Sequence, residues 1–271
     1  MVNPTLPPKG SSSSNAFESE IPFLIKDDSE HVRRDLAGIR HILEYDLRPK
    51  PPRILHDTYY DTRENSLRQR RITLRTRRLG DTLLISSKSD IRRISGNIIR
   101  RREIELPWAY HSVRLLAKNL RLKTTAMSSS LFQRIPVSRT LAEMGLHVIQ
   151  ERRTRRVARD IVRRGTSPTS ILAELAIDRV TYTFEKIKVG FSEVEIEVKS
   201  PGGLPTVREV ANELLSKYKP FLQQWSHGKF VTGLAIRRLL ETKTLRPYLE
   251  NGALKPGAFQ LIDRALQSAT A

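Results

Sequence analysis

The 271-residue chain has no cysteine. That excludes a disulfide scaffold, a thiolate-held zinc, a cysteine nucleophile and an iron–sulfur cluster. Its histidines, at 31, 41, 56, 111, 147 and 227, are scattered and form no HExxH pair, so a histidine-built zinc site is not expected. No run of 18 apolar residues occurs, so no segment reads as a membrane-spanning helix. Aromatic residues are only 6% of the chain, and residues 61–107 contain none. The basic segments therefore lack the stacking rings typical of single-strand nucleic-acid modules. Acidic residues are scarce relative to basic ones: 29 against 48, a net charge of +19. The apolar content of 38% is lean but sufficient for a core. The length fits two domains of about 150 residues, or one β-rich domain of about 200–250.

A surplus of +19 implies a polyanionic partner: DNA, RNA, anionic lipid or a small phosphate-rich substrate. Residues 63–102 hold 13 Lys/Arg against Glu64, Asp81 and Asp90, and residues 150–164 hold 7 Arg against Glu151 and Asp160. Either run alone reads as a solvated basic surface. The first 16 residues are rich in Pro, Ser and Gly and poor in hydrophobes, the pattern of a disordered tail rather than a secretory signal. The expected compartment is cytoplasmic.

Periodicity predicts a strand at 17–26 and a helix at 29–46, with Ser29 as N-cap and Val32, Leu36, Ile39, Ile42 and Leu43 as its apolar face. Strand-like runs follow at 54–61, 72–78, 82–88 and 97–106, with a hairpin at Leu79–Gly80–Asp81. Residues 110–121 read as helix, and 122–145 are ambiguous. Strands resume at 147–159, 171–183 and 188–199. Helical patterns occupy 206–218, 229–241 and 258–268. The domain expected is 17–240, flanked by tail 1–16 and a helical C-terminal tail at 241–271.

Side chains alternate faces along a strand. In 193–199 the residues Glu193, Glu195, Glu197 and Lys199 share one face, and Val194, Ile196 and Val198 share the other. Arg75 and Arg77 oppose Leu74; Arg101, Glu103 and Glu105 oppose Ile104 and Leu106; Glu18 and Glu20 oppose Ile21 and Phe23; Arg153 and Arg155 sit together. An ordinary antiparallel sheet with a wet charged face explains any one strand. The set is sorted by strand, however, glutamates first and last and arginines in the middle. Three glutamates on one face repel unless a cation compensates. A sheet curled with its charges inward brings the acidic and basic strands opposite each other, and a closed eight-strand barrel leaves room for a small ligand. Such an interior suits Mg²⁺ or Mn²⁺ on carboxylates and a phosphate chain on Arg and Lys.

With these residues in view, the chain resembles the CYTH superfamily, the triphosphate tunnel metalloenzymes, over about residues 17–235. YYDTRENSLRQRRITLRTRR at 59–78 is similar to the family's YYDT…LR-x-R block. LLISSKS at 83–89, RREIELP at 101–107, RRTRR at 152–156, AELAID at 173–178, SEVEIEVK at 192–199 and WSHGKFVTGL at 225–234 resemble its later segments in order. The resemblance implies an α+β fold: an eight-stranded antiparallel β-barrel, the tunnel, with helices packed outside. It implies that Arg75, Arg77, Lys88, Arg153 or Arg155, and Lys229 hold a triphosphate, with Arg101, Glu103 and Glu105 lining the wall. Glu18, Glu20, Glu193, Glu195 and Glu197 would bind Mg²⁺ or Mn²⁺, and Glu174 or Asp178 would sit near the metal or attacking water. The implied activity is metal-dependent hydrolysis of inorganic triphosphate or an organic or nucleoside triphosphate. One departure stands out: Pro22 replaces the lysine of the family's E-x-E-x-K strand, and Lys26 lies about 13 Å further along. Two alternatives follow: a non-catalytic tunnel binding polyphosphate or a nucleotide, and a class IV-type adenylate cyclase. Nucleic-acid binding through exposed charge is a third possibility.

Overall fold

A computed structural model of the chain describes residues 16–26, 29–94, 98–123, 128–166, 170–255 and 257–268. The segment expected as a disordered tail lies, up to residue 15, outside the described residues. The strands are β1 (Ala16–Ile25), β2 (His41–Ile42), β3 (Tyr45–Pro49), β4 (Arg53–Thr62), β5 (Thr73–Leu79), β6 (Thr82–Ile94), β7 (Ile98–Pro107), β8 (Leu146–Arg163), β9 (Ile171–Phe184), β10 (Ile187–Val198), β11 (Leu222–Gln224), β12 (Leu249–Glu250) and β13 (Ala253–Leu254). The helices are α1 (Glu30–Gly38), α2 (Ser66–Gln69), α3 (Tyr110–Leu120), α4 (Ser129–Phe132), α5 (Val137–Glu143), α6 (Gly203–Lys217), α7 (Lys229–Glu241) and α8 (Ala258–Ser268).

Eight strands pair antiparallel in the order β1-β7-β6-β5-β4-β8-β9-β10, and β10 returns to β1, closing the barrel. The closing seam sets Glu20 opposite Glu197 and Pro22 opposite Glu195. The expected α+β barrel with helices outside is the fold observed. The tight β5–β6 turn is made by Gly80, whose φ of +55° is the left-handed region that glycine enters without a side-chain clash.

The barrel is inverted relative to a globular sheet packed on an apolar interior. On β10 the glutamates turn inward, while Val194 and Ile196 are fully buried on the outer face. There they meet Val207, Val210, Ala211 and Leu214 of α6, together with Val32 and Leu36 of α1. A second apolar layer joins Val180, Tyr182, Val189 and Phe191 of β9 and β10 to α7 and α8. A third covers β4 to β7 with α2 to α5, around Leu67, Leu74, Leu116, Phe132 and Leu141. Each such buried aliphatic side chain contributes roughly 1.5–3 kcal/mol, and the helices are what make an outward-facing apolar surface tenable.

Two readings of local pattern change. The helix expected over 29–46 ends at Gly38, and residues 41–49 instead form a hairpin laid on β8. The apolar residues that fit helical spacing there also fit a short hairpin: Ile42 and Leu47 face the core, whereas Leu43 sits in the turn with φ +50° and is exposed. The ambiguous stretch 122–145 supplies α4 and α5. Beyond residue 240, β13 pairs with β10 and α8 packs Phe259 and Ile262 into the same core as Trp225 and Phe191, so this segment docks on the barrel.

Ile196→Ala should lower the unfolding free energy by about 2–5 kcal/mol in a urea titration, the usual cost of emptying a filled aliphatic site. A loss below 1 kcal/mol would mean that the outer face of β10 is not packed under α6.

Candidate active site in the barrel interior

A cavity of about 340 Å³ runs inside the barrel and is lined mostly by ionic side chains. On its basic wall, β4 and β5 carry Asp57, Arg75 and Arg77, and β8 adds Arg152. Asp57 is fully buried and accepts from Arg77 Nε at 2.7 Å and Nη2 at 3.0 Å; Arg152 donates to the same carboxylate, and Arg75 Nη1 lies at 3.7 Å. Burial alone would push the Asp57 carboxyl up, but Arg75, Arg152 and Arg77 hold it well below the usual range. The arrangement is a structural knot. One anion fixes three guanidinium groups, leaving the cavity side of the cluster with a surplus of positive charge. Arg75 is further steered by Ser86 Oγ at 2.9 Å and Glu103 at 3.2 Å.

The acidic wall comes from β1, β9 and β10. Asp178 accepts a two-pronged bond from Arg156, at 2.8 and 2.6 Å, and lies 3.1 Å from Lys229 Nζ. Lys229 also reaches Glu193 and Glu195, and Arg156 Nη2 donates to Glu195 at 2.9 Å. Lys88 pairs with Glu18, Arg101 with Glu20 at 3.2 Å, and Lys199 with Glu197 at 2.6 Å. Near these, Lys50 bridges Asp160 at 3.0 Å and Glu174 at 2.5 Å. Even with these partners the carboxylates are crowded. Burial and the neighbouring Glu20 push Glu195 up to about 8, and burial with Glu18 pushes Glu197 up. Glu195, Asp178 and Glu193 also bring ligand oxygens within 4.8 Å of one another. The set is all oxygen, the donor type a hard divalent cation prefers, and Lys229 Nζ reaches all three carboxylates.

Of the residues expected from sequence, Glu18, Glu20, Arg75, Arg77, Lys88, Arg101, Glu174, Asp178, Glu195, Glu197 and Lys229 line the cavity. Glu193 lies just beneath the lining, fully buried against Lys229. Arg153 and Arg155 do not line it: Arg155 is exposed and Arg153 half-buried on the outer side, and Arg152 and Arg156 take the inward positions. The run RRTRR has arginine at both parities, so alternation alone cannot choose between them. The register that sets Arg156 opposite Asp178 and Arg152 opposite Tyr182 makes the choice. Sequence reasoning also missed Asp57, Lys50 and Arg53. The parity of Asp57 with Tyr59 was a usable signal, but Lys50, ahead of two prolines, gave none.

Lys229 begins α7, whose entry is braced by Tyr182, which donates to the Lys229 carbonyl at 2.6 Å, and by Phe230, stacked on Tyr59 at 4.8 Å. Gly228 lies against the Arg101 guanidinium. A Cβ there would come within 2.5 Å of Arg101 Nη2 and push the guanidinium off Glu20. Pro22 is buried at the seam, and its carbonyl accepts from the Trp225 N–H at 3.1 Å. Lys26 does not line the cavity.

The chain belongs to the CYTH domain family, whose pattern matches residues 18–224. It is similar in structure to HpAC1 from Hippeastrum, an adenylyl cyclase candidate in which a triphosphatase activity is dominant. The TM-score is 0.52 at 16% identity, covering 80% of this chain and 95% of that one. It is also similar to an adenylate cyclase candidate from Bacillus halodurans, with TM-score 0.43, 15% identity, and 78% and 92% coverage. The inorganic triphosphatase NE1496 matches at TM-score 0.23, 14% identity, and 70% and 78% coverage. At these identities the likeness shows the fold, and it rests on the first of the three. No curated protein sequence matches the chain.

Asp57→Asn should destabilise the protein by about 3–5 kcal/mol near neutral pH, because three guanidinium groups, two of them buried, lose their counter-charge. The folded-state pKa of Asp57 is depressed. Its contribution is therefore complete above the unfolded carboxylate pKa of about 4 and fades as pH falls below it. Urea titrations should show the gap between wild type and variant narrowing at low pH; a gap constant from neutral to acid pH would contradict this role.

Proposed function

We propose that the protein hydrolyses a triphosphate inside the barrel in a reaction dependent on Mg²⁺ or Mn²⁺. The observation that carries this reading is a cavity with a cationic wall facing a crowded carboxylate wall, at a size suited to a short phosphate chain. Arg75, Arg77, Arg152, Arg156, Lys88 and Lys229 would hold the phosphate oxygens. Guanidinium forks suit such oxygens because they offer paired donors. The cations are pre-oriented by Asp57, Glu103 and the acidic wall, so little reorganisation is needed as charge develops. Glu18, Glu20, Glu195 and Glu197 would hold the divalent ion, with Glu193 supporting them from beneath. When bound, that ion neutralises phosphate charge and activates the leaving group.

Glu174 would orient the attacking water. Both Asp178 oxygens are held by Arg156, whereas Glu174 Oε1 meets, among the described ion pairs, only Arg156 Nη1 at 3.9 Å. In-line attack at the terminal phosphorus releases orthophosphate, and the cationic wall holds the departing diphosphate. Inorganic triphosphate, with no base or sugar to accommodate, suits a lining with little apolar surface. Lys229 Nζ reaches Glu195, the seam partner of Pro22, where the family pattern has a lysine on the first strand.

Phosphate release from tripolyphosphate with Mg²⁺ or Mn²⁺ tests the proposal. Arg75→Ala and Glu174→Gln should each lower kcat by about 10²–10³, the usual cost of one such electrostatic group. Pro22 favours one rival reading, a tunnel that binds polyphosphate without cleaving it. Intact tripolyphosphate binding with no release, and activity gained by Pro22→Lys, would establish that rival. Cyclic AMP formed from ATP in place of released phosphate would establish a cyclase.

A further inference from the structure

The barrel interior consumes only part of the chain's basic surplus. Outside it, residues 63–72 and 108–145, which include α2 to α5, contain ten Lys/Arg against Glu64 and Glu143. Among them Arg63, Arg68, Arg71, Lys118, Arg121 and Lys123 are exposed, and no described ion pair joins any of these six to a carboxylate. Arg70 Nη1 donates to the Leu120 carbonyl at 2.6 Å and ties the end of α2 to the end of α3. The six cations therefore gather in one patch instead of spreading around the molecule. The one acid among them, Glu64, is held below its usual range by its own backbone N–H and the Thr62 hydroxyl, with further pulls from Arg63 and Lys123. A single carboxylate is thus set among several cations.

The backbone sets how two of these arginines project. Arg71 and Arg121 follow α2 and α3 with φ of +56° and +55°. Helices commonly end in this left-handed region, but glycine or asparagine is the usual occupant. Arginine at both positions places a strained residue where a relaxed one was available. Leu43, Glu185 and Lys243 take the same conformation elsewhere in the chain, so the patch is defined by its charge and exposure, with the backbone fixing where the two arginines project. Helix C-termini attract cations, which accounts for Arg68 and Lys118 within the last turns but not for two left-handed arginines just past them.

We propose that this patch binds the phosphodiester backbone of a nucleic-acid duplex. Four of the six cations are arginine, the residue whose fork matches phosphate oxygens. In a duplex the bases stack on one another and need no protein rings, which agrees with the absence of aromatic residues from 61–107. Trp108 and Tyr110, at the start of the α3 segment, pack on Phe132. The surface lies on the outer side of β4 to β7 and does not depend on hydrolysis in the cavity.

The test is fluorescence anisotropy of a labelled RNA or DNA duplex titrated with the full-length protein at several salt concentrations. Six phosphate contacts predict that the logarithm of affinity falls with the logarithm of salt at a slope of about −5. Arg68→Glu/Arg71→Glu/Arg121→Glu should weaken binding at least about 100-fold at low salt and flatten the slope to about −3 or less. Phosphate release from tripolyphosphate should be unchanged. Arg71→Gly/Arg121→Gly separates function from structure: relaxing the backbone should raise the melting temperature while affinity falls. The proposal is overturned by wild-type protein that leaves the duplex free at low salt, or by charge-reversed protein that binds as tightly as wild type. Capture by anionic phospholipid vesicles without duplex binding would also overturn it and assign the patch to a membrane surface.

Discussion

Most ionic groups inside the barrel are paired with a group of opposite charge, because burial strips away the water that would otherwise solvate them. A buried charge without a partner is among the costliest features a fold can carry. The pairing of acids with bases across and along the walls is therefore a condition for closure. Asp57 shows the principle most compactly, since one carboxylate allows three arginines to share a small volume. The opposite wall is less completely balanced, as the upward shifts of Glu195 and Glu197 show. The cavity thus presents both signs of charge to whatever enters it, cationic on one wall and acidic on the other.

This interior dictates what lies outside. Strands whose inward faces are ionic must bury their apolar faces outward, and a sheet surface of this size cannot face water. The helices divide that work into three layers, and each layer also positions part of the cavity. α6 backs the strands carrying the glutamates, whereas α7 and α8 seat the turn that delivers Lys229. His227 meets Asp263 of α8 at 2.7 Å, two residues before Lys229. Packing far from the cavity therefore bears on where its ammonium sits.

Much of this was legible in the chain itself. Period-two alternation of glutamate with valine or isoleucine in 193–198 revealed both the strand and its polarity, and the ordered motifs pointed to a closed barrel. Alternation failed wherever both parities carried the same chemistry. In 152–156 arginine occupies four of five positions, and only pairing with β9 decides which of them enter the cavity. The hairpin at 41–49 was hidden for a related reason, since its apolar spacing satisfies a helix as well as two short strands. Lys50 could not be found from local pattern at all, because its partners Asp160 and Glu174 lie more than a hundred residues away.

Closure of the seam between β1 and β10 joins the start of the described chain to residues near 197. As the polypeptide leaves the ribosome, β1 waits with an unpaired edge while most of the protein is still being made. Pairings of such long range form slowly, and an open edge in that interval invites addition of a foreign strand. Proline and inward-pointing charges are the residues that blunt such edges, and β1 carries Pro22 beside Glu18 and Glu20.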